Sequence, residues 1–212
     1  MKIFGIGLSR TGTTSLTFAL AQLGLHAHHF PRTRELIDAV DAATDTSVAA
    51  WYRELDAAHP GSRFILTLRH LPDWLDSCET LWQTSSQFFD EFTSGIHRRL
   101  YGREDFDRVA FGAAYARHRD DVLSHFTGRD RDLLLIDICA GEGWERLCPF
   151  IGFDPPSTPF PRRNARAALG HDWVTDCPPC SDFGATPPFV INQQSGPVPL
   201  SGKGDKSNNG QQ

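Results

Sequence analysis

The stretch that decides the fold is residues 3–16, IFGIGLSRTGTTSL. Its first part, Ile3 to Gly7, is an apolar run that ends in glycine, which predicts a short buried strand. Apolar residues then recur at helical spacing from Leu16 until Gly24, so a helix is predicted to follow. The glycine- and threonine-rich loop between them can turn several backbone N–H groups toward one anion, beside the positive end of the helix dipole. The stretch therefore predicts a strand–loop–helix unit that binds an anion.

The rest of the chain alternates strands and helices, which predicts an α/β protein with a parallel sheet covered on both faces. Further strands are predicted at Leu25–Phe30, Arg63–Arg69 and Leu133–Ile138, and helices at 47–58, from Pro72 onward, at 104–126 and at 144–151. Ligands of such sheets bind outside the carboxyl ends of the strands. We therefore expect the site just after Gly7, Arg69 and Ile138.

Composition narrows the class of protein. The formal net charge of −5 argues against nucleic acid as a main partner, because no basic excess exists to neutralise phosphates. No apolar run approaches the roughly 20 residues that span a bilayer, and no leader peptide is expected. The odd number of cysteines, five, favours reduced thiols in a cytoplasmic protein. The Cys177-Pro-Pro-Cys180 pair lacks a second pair for zinc, so no metal site is expected.

Three organisational units are predicted. Residues 1–166 form the domain, residues 167–194 a proline- and cysteine-containing extension, and residues 195–212 a disordered tail. The tail is assigned as disordered because it lacks the apolar groups that would offset the entropy of ordering.

The loop after the first strand fits one of three anion-binding patterns without a misfit. A dinucleotide fingerprint would need a third glycine where Arg10 stands. A Walker A loop fits the frame from Gly7 to Gly12, but Thr13 occupies the position of its lysine. The segment Arg10-Thr11-Gly12-Thr13-Thr14 fits the form [KR]-x-G-[ST]-[ST], the loop of sulfotransferases. That loop offers a cation, hydroxyls and bare backbone to a phosphosulfate.

A second pattern lies further along the chain. Arg69 ends a predicted strand and Ser77 follows eight residues later, about two turns into the next helix. Together with the loop, this spacing resembles that of the P-loop sulfotransferase family, in the branch with a G-x-x-R-T-G-T-x-S-L opening. The stretches that carry the resemblance are GLSRTGTTSL (7–16), RFILTLRHLPDWLDSCETLW (63–82) and GWERLCPFIGFDPPSTPFPRRN (143–164).

The resemblance implies a P-loop NTPase-like three-layer α/β/α fold and 3′-phosphoadenylyl sulfate as co-substrate. Its phosphosulfate would lie on the loop, and its 3′-phosphate against Arg69 and Ser77, with a late basic segment nearby. The donor-binding residues so implied are Arg10, Thr11, Gly12, Thr13, Thr14, Ser15, Arg69, Ser77, Arg162 and Arg163. The chain departs from many members by Arg10 in place of lysine and His70 in place of aspartate.

The resemblance also implies direct displacement of the sulfuryl group without a metal. Arg10 would stabilise the leaving phosphate, and a general base would take the acceptor's proton. Of the candidate bases His26, His28, His29 and Asp45, we favour His29, because imidazole titrates near neutral pH. Asp45 is second, since it is also a candidate helix cap. The acceptor is expected to be a small molecule, a glycan or a lipid, with residues 84–108 as the lid or the wall of its pocket, and a homodimer remains open.

Two other functions stay open on the sequence. The short chain leaves little room for an acceptor pocket, so the protein could be a non-catalytic nucleotide-binding module. It could also be a divergent P-loop kinase of small molecules that uses Arg10 in place of the Walker lysine.

Overall fold

The computed structural model describes residues 1–163. The predictions for residues 164–166, the extension with Cys177 and Cys180, and the tail lie outside the described residues. Five parallel strands form one sheet in the order β2-β3-β1-β4-β5. The strands are β1 (Ile3–Gly5), β2 (Ala27–His29), β3 (Ala42–Thr44), β4 (Arg63–Thr67) and β5 (Leu133–Ile136). The helices are α1 (Thr13–Gln22), α2 (Arg34–Ala39), α3 (Thr46–Ala50), α4 (Tyr52–Ala58), α5 (Leu71–Ser85), α6 (Glu91–Tyr101), α7 (Arg108–His125) and α8 (Trp144–Ile151), with a 3₁₀ turn at Ser86–Phe88.

Two apolar cores lie on opposite faces of this sheet. Successive strand residues alternate between them, because neighbouring side chains of a strand point to opposite faces. Ile3 and Ile65 belong to the core under α1 and α8, whereas Phe4 and Phe64 belong to the larger core under α3 to α7. The predicted α/β/α architecture with a P-loop-like parallel sheet is therefore confirmed.

Register brings the ends of the strands to one level. Gly5 pairs with Thr44 on one side and Ile65 on the other, and Thr44 pairs with His29. The loops that follow these strands therefore begin beside one another at the carboxyl edge of the sheet.

The structure corrects three features of the predicted architecture, of which the first is that α2 and α6 were not predicted. The strand β3 was not predicted, because its sequence Ala-Ala-Thr lacks the β-branched and aromatic residues that are typical of strands. The helix predicted over residues 47–58 is two helices, interrupted at Trp51 (φ −116°, ψ 11°), which packs edge-to-face on Phe92. In residues 1–163, no helix has the length and apolarity needed to cross a membrane.

Candidate functional site

The loops after β1, β4 and β5 converge on one cleft. Its volume is about 190 Å³. The side chains and backbone that line it come from α1 and its preceding loop, from β4–α5, from the segment after β5 and from residues 162–163: Arg10, Gly12, Thr13, Thr14, Ser15, Arg69, Ser77, Ile138, Cys139, Arg162 and Arg163. The three places singled out in the sequence therefore lie together.

The first loop is fastened from beneath. A Cβ on Gly7 would lie 1.8 Å from the Thr67 hydroxyl, so only glycine fits there. Thr11 is fully buried, and its hydroxyl bonds to Leu8 O (2.7 Å) and to Thr67 Oγ1 (2.6 Å). The Trp74 indole donates to Ser9 O at 2.7 Å. These bonds fix the path of the loop over the sheet before any ligand arrives.

Backbone strain is concentrated at this edge of the sheet. The non-glycine residues with positive φ in residues 1–163 are Arg10 (69°), Phe30 (52°) and Asp45 (88°). Each lies in the segment that follows one of three neighbouring strands, β1, β2 and β3. Strained residues of this kind persist where the surroundings over-determine them, and they cluster at functional sites.

A cationic group occupies one end of the cleft. Arg10 Nε donates to Ser77 Oγ at 2.9 Å, and Arg69 Nη1 donates to Arg10 O at 3.1 Å. Burial lowers the pKa of Arg10, and the neighbouring Arg69 lowers it further. Both side chains line the cleft and their positive charges repel each other, so an anion placed between them would stabilise both.

Arg69 is held by its backbone as well. The Tyr115 hydroxyl accepts from Arg69 N at 2.9 Å and donates to Arg69 O at 2.7 Å. Tyr115 lies in α7 and is buried against Trp74, with ring centroids 4.8 Å apart. Burial raises the pKa of Tyr115, which keeps the hydroxyl proton in place for the bond it donates. The backbone that carries the Arg69 guanidinium is thereby fixed in place.

The segment before residue 164 crosses beside α1. Trp144 Nε1 donates to Thr158 O at 2.8 Å, and the Trp144 ring contacts Phe160. Arg163 N donates to Ser15 Oγ at 2.9 Å, and its guanidinium lies over the Phe18 ring at 4.5 Å. These contacts bring Arg162 and Arg163 to the cleft.

A second polar cluster lies on the other side of the loop, after β2 and β3. Asp45 Oδ1 accepts from Thr13 Oγ1 at 3.1 Å, and Asp45 Oδ2 lies 3.3 Å from His29 Nε2. The same His29 nitrogen is 3.2 Å from Thr14 Oγ1 and 3.4 Å from Thr13 Oγ1. The cluster joins an imidazole and a carboxylate to the hydroxyls of the loop.

Most of the sequence-predicted residues meet at these two clusters, and three side chains do not. The Thr11 side chain faces the protein interior, away from the cleft. His26 lies before β2, at the opposite edge of the sheet, and the buried His28 alternates with His29 and so points to the other face. Within residues 1–163, no group of three or more His, Cys, Asp or Glu side chains is arranged to hold a metal.

Two contributors were not identified from the sequence. Cys139 lines the cleft directly after β5, where position alone marks it. Tyr101 accepts a bond from Ser9 N at 3.3 Å, and burial raises its pKa. Tyr101 lies in α6, a helix that was not predicted.

Comparison with known proteins identifies the family of the chain. The profile of a family described as "Sulfotransferase domain" matches residues 2–35 and 31–169, which is most of the chain. The chain belongs to the sulfotransferase domain family. This membership supports a general role of the protein as a transferase.

A curated relative is also similar. It is "Ava biosynthesis cluster protein M" of Aspergillus versicolor, which is 27% identical over 210 residues, covering 76% of this chain and 80% of the relative. The match thus extends over most of both proteins.

Proposed function

We propose that the protein transfers a sulfuryl group from 3′-phosphoadenylyl sulfate to a hydroxyl or amine of an acceptor. The observation that carries the proposal is the pairing of two anion subsites in one cleft. One is the loop with Arg10, Thr13, Thr14 and the start of α1, and the other is Arg69 with Ser77, next to Arg10. A donor with a 5′-phosphosulfate and a 3′-phosphate needs two such subsites, whereas a simple phosphate ester needs one.

The loop fits a phosphate-bearing ligand by its shape. Gly12 has φ +100°, and a Cβ there would lie 3.1 Å from Ile138 Cβ. A side chain at this position would crowd Ile138, which lines the same cleft, so glycine keeps the loop close to it. The backbone N–H groups at the start of α1 add the positive end of the helix dipole.

The chemistry is a displacement at sulfur. The acceptor oxygen or nitrogen forms a bond to sulfur while the bond from sulfur to the bridging oxygen breaks, so that adenosine 3′,5′-bisphosphate leaves with the electron pair. The acceptor's proton passes to His29, our proposed general base, with Asp45 as the alternative. Arg10 and the loop hydroxyls stabilise the charge that develops on the leaving phosphate.

Two observations favour sulfuryl transfer over a kinase reaction. Thr13 stands where a Walker loop has its lysine, and its hydroxyl bonds to Asp45. Asp137 follows β5 as a Walker B carboxylate would, but its Oδ1 accepts from Ala140 N at 2.9 Å and so stabilises a turn. A role as a nucleotide-binding module without catalysis would leave the His29–Asp45 pair without a purpose.

The test is release of adenosine 3′,5′-bisphosphate from 3′-phosphoadenylyl sulfate in the presence of a panel of alcohols, phenols, sugars and amines. We expect acceptor-dependent release by the wild type and a loss of about 100-fold or more in Arg10→Ala, because a transition-state charge would lose its partner. The control is Arg131→Ala, a change at an exposed residue just before β5, at the amino ends of the strands and away from the cleft. Full activity in Arg10→Ala would remove Arg10 from the mechanism, and phosphate transfer from ATP would favour the kinase.

A further inference from the structure

Asp45 occupies a backbone conformation that glycine alone adopts without strain. Its φ is 88° and its ψ is −174°. In this region of the map the Cβ of an L residue is crowded by its own backbone, at a cost that must be met by surrounding contacts. Asp45 N donates to Gly5 O at 3.1 Å, and Ala49 N donates to Asp45 O at 2.9 Å, so both sides of the residue are tied to secondary structure.

A role in stabilising helix α3 does not explain why residue 45 is an aspartate. Asp45 is the N-cap residue of α3, where an aspartate side chain usually accepts from the first turn, yet its carboxylate makes no such bond. Instead the carboxylate turns to Thr13 and His29, with an exposed side-chain fraction of only 13%. Asp45 therefore has a strained backbone and does not cap α3. Its carboxylate lies between the donor loop and the imidazole of His29.

We propose that Asp45 is a positioning residue that joins the donor loop to the proton acceptor of the transfer reaction. This inference rests on the function proposed above, with His29 as the base and Asp45 acting through it. One carboxylate oxygen fixes the Thr13 hydroxyl, and the other orients the His29 ring through Nε2. The negative charge also stabilises the imidazolium that forms when His29 takes the acceptor's proton, as a buried carboxylate does for the histidine of a catalytic triad.

Stability measurements test the strain separately from catalysis. We compare the urea midpoints of Asp45→Gly and Asp45→Ala, which lose the same carboxylate but differ in Cβ. Strain at Asp45 predicts a higher midpoint for Asp45→Gly. At Asp120, which is exposed in α7, the order should be reversed, because glycine is the poorer helix former. A lower midpoint for Asp45→Gly than for Asp45→Ala would overturn the strained-backbone argument.

Nitrogen-15 spectroscopy of the histidine rings tests positioning without any acceptor. We expect His29 to be a single tautomer, protonated at Nε2, in the wild type and a mixture of tautomers in Asp45→Ala. An unchanged His29 spectrum in Asp45→Ala would contradict the proposal, even if no transfer were detected in any protein. Its failure is therefore distinguishable from failure of the proposed function.

Kinetics complete the test once an acceptor is known. Asp45→Asn should lower kcat by about 100-fold or more while the KM for the donor changes less than about threefold, because the orienting charge is lost and the donor's other contacts remain. Asp45→Glu should recover part of the rate. Wild-type kcat in a folded Asp45→Asn protein would overturn the assignment.

Discussion

Arg10 Nε donates a hydrogen bond of 2.9 Å to Ser77 Oγ, which joins the loop after β1 to the second turn of α5. The sequence pattern assigned these residues to different ends of the donor, Arg10 to the leaving phosphate and Ser77 to the 3′-phosphate. Because Arg10 and Ser77 are in contact, the two predicted subsites are parts of one polar surface. Arg69 completes that surface through its bond to Arg10 O.

The contact predicts an effect of Ser77→Ala on ligand affinity. Loss of one neutral hydroxyl from the proposed anion subsite should weaken binding of adenosine 3′,5′-bisphosphate by about tenfold, equivalent to about 1.4 kcal/mol. Isothermal titration calorimetry measures the change. Ser86→Ala, an exposed change at the end of the same helix, should leave the affinity unaltered, and equal weakening by both variants would argue against a local role for Ser77.

Gly7→Ala should destabilise the fold. The new Cβ would lie 1.8 Å from Thr67 Oγ1 and 2.6 Å from Thr11 Oγ1, where the loop is fastened to β4. We expect a loss of about 3 kcal/mol in the free energy of unfolding, the cost typical of overpacking a tight core. Urea denaturation followed by circular dichroism measures it.

Gly112→Ala is the matched control for that measurement. Gly112 lies inside α7 with nothing within 4 Å of the added Cβ, so this change should stabilise by up to about 1 kcal/mol. A Gly7→Ala protein as stable as the wild type would show that the loop does not follow the path described.

Tyr115→Phe should weaken nucleotide binding without unfolding the protein. It removes both bonds from the Tyr115 hydroxyl to the Arg69 backbone. We expect a loss of about 1–2 kcal/mol in stability and about fivefold in affinity for adenosine 3′,5′-bisphosphate, because Arg69 is less well held. Tyr52→Phe is the control, since the buried Tyr52 hydroxyl has no hydrogen-bond partner within residues 1–163. Equal affinity losses in both variants would contradict the assignment.

Acid stability should depend on Asp56. The bidentate Arg129 guanidinium, and then His125, lower the pKa of Asp56 below its ordinary value. Because the folded-state pKa is the lower one, this stabilisation is complete above the ordinary value of about 4 and is lost as the pH falls through the lowered pKa. Asp56→Asn should therefore have a lower Tm at neutral pH and a smaller loss of Tm between about pH 4 and pH 2. The exposed Asp130→Asn should retain the wild-type profile, and an unchanged acid limb in Asp56→Asn would contradict the linkage.

Much of the architecture was predictable from local pattern. The strands β4 and β5 are apolar and β-branched or leucine-rich, and α5 carries a clear apolar stripe, so both types of element were identified. Trp74 and Trp82 of α5 are both buried. The strand β3 could not be recognised, because its small residues reflect close packing: Thr44 Oγ1 lies 2.5 Å from Thr17 Oγ1 of α1, and a Cβ on Gly5 would meet both Thr44 and Leu16.

Some features of the candidate site could also be predicted from local sequence, and others could not. The loop after β1 and the Arg69–Ser77 spacing are local in sequence, so they could be predicted as a donor site before the fold was known. The contacts of Thr11 and Asp45 could not be predicted, because they depend on the direction that each side chain takes from its loop. Thr11 turns inward to Thr67. Asp45 reaches His29 because its φ is positive, and an aspartate in a sequence does not predict a positive φ.

The measurement that tests the central claim most directly is calorimetric titration with adenosine 3′,5′-bisphosphate and with ADP, on the wild type and on Arg69→Ala. We expect the bisphosphate to bind the wild type about 100-fold more tightly than ADP, because its 3′-phosphate gains charge-assisted bonds. Arg69→Ala should abolish that preference, whereas Arg131→Ala should keep it. Equal affinity of the wild type for the two nucleotides, or a preference that survives Arg69→Ala, would contradict a 3′-phosphate subsite at Arg69 and with it the proposed donor.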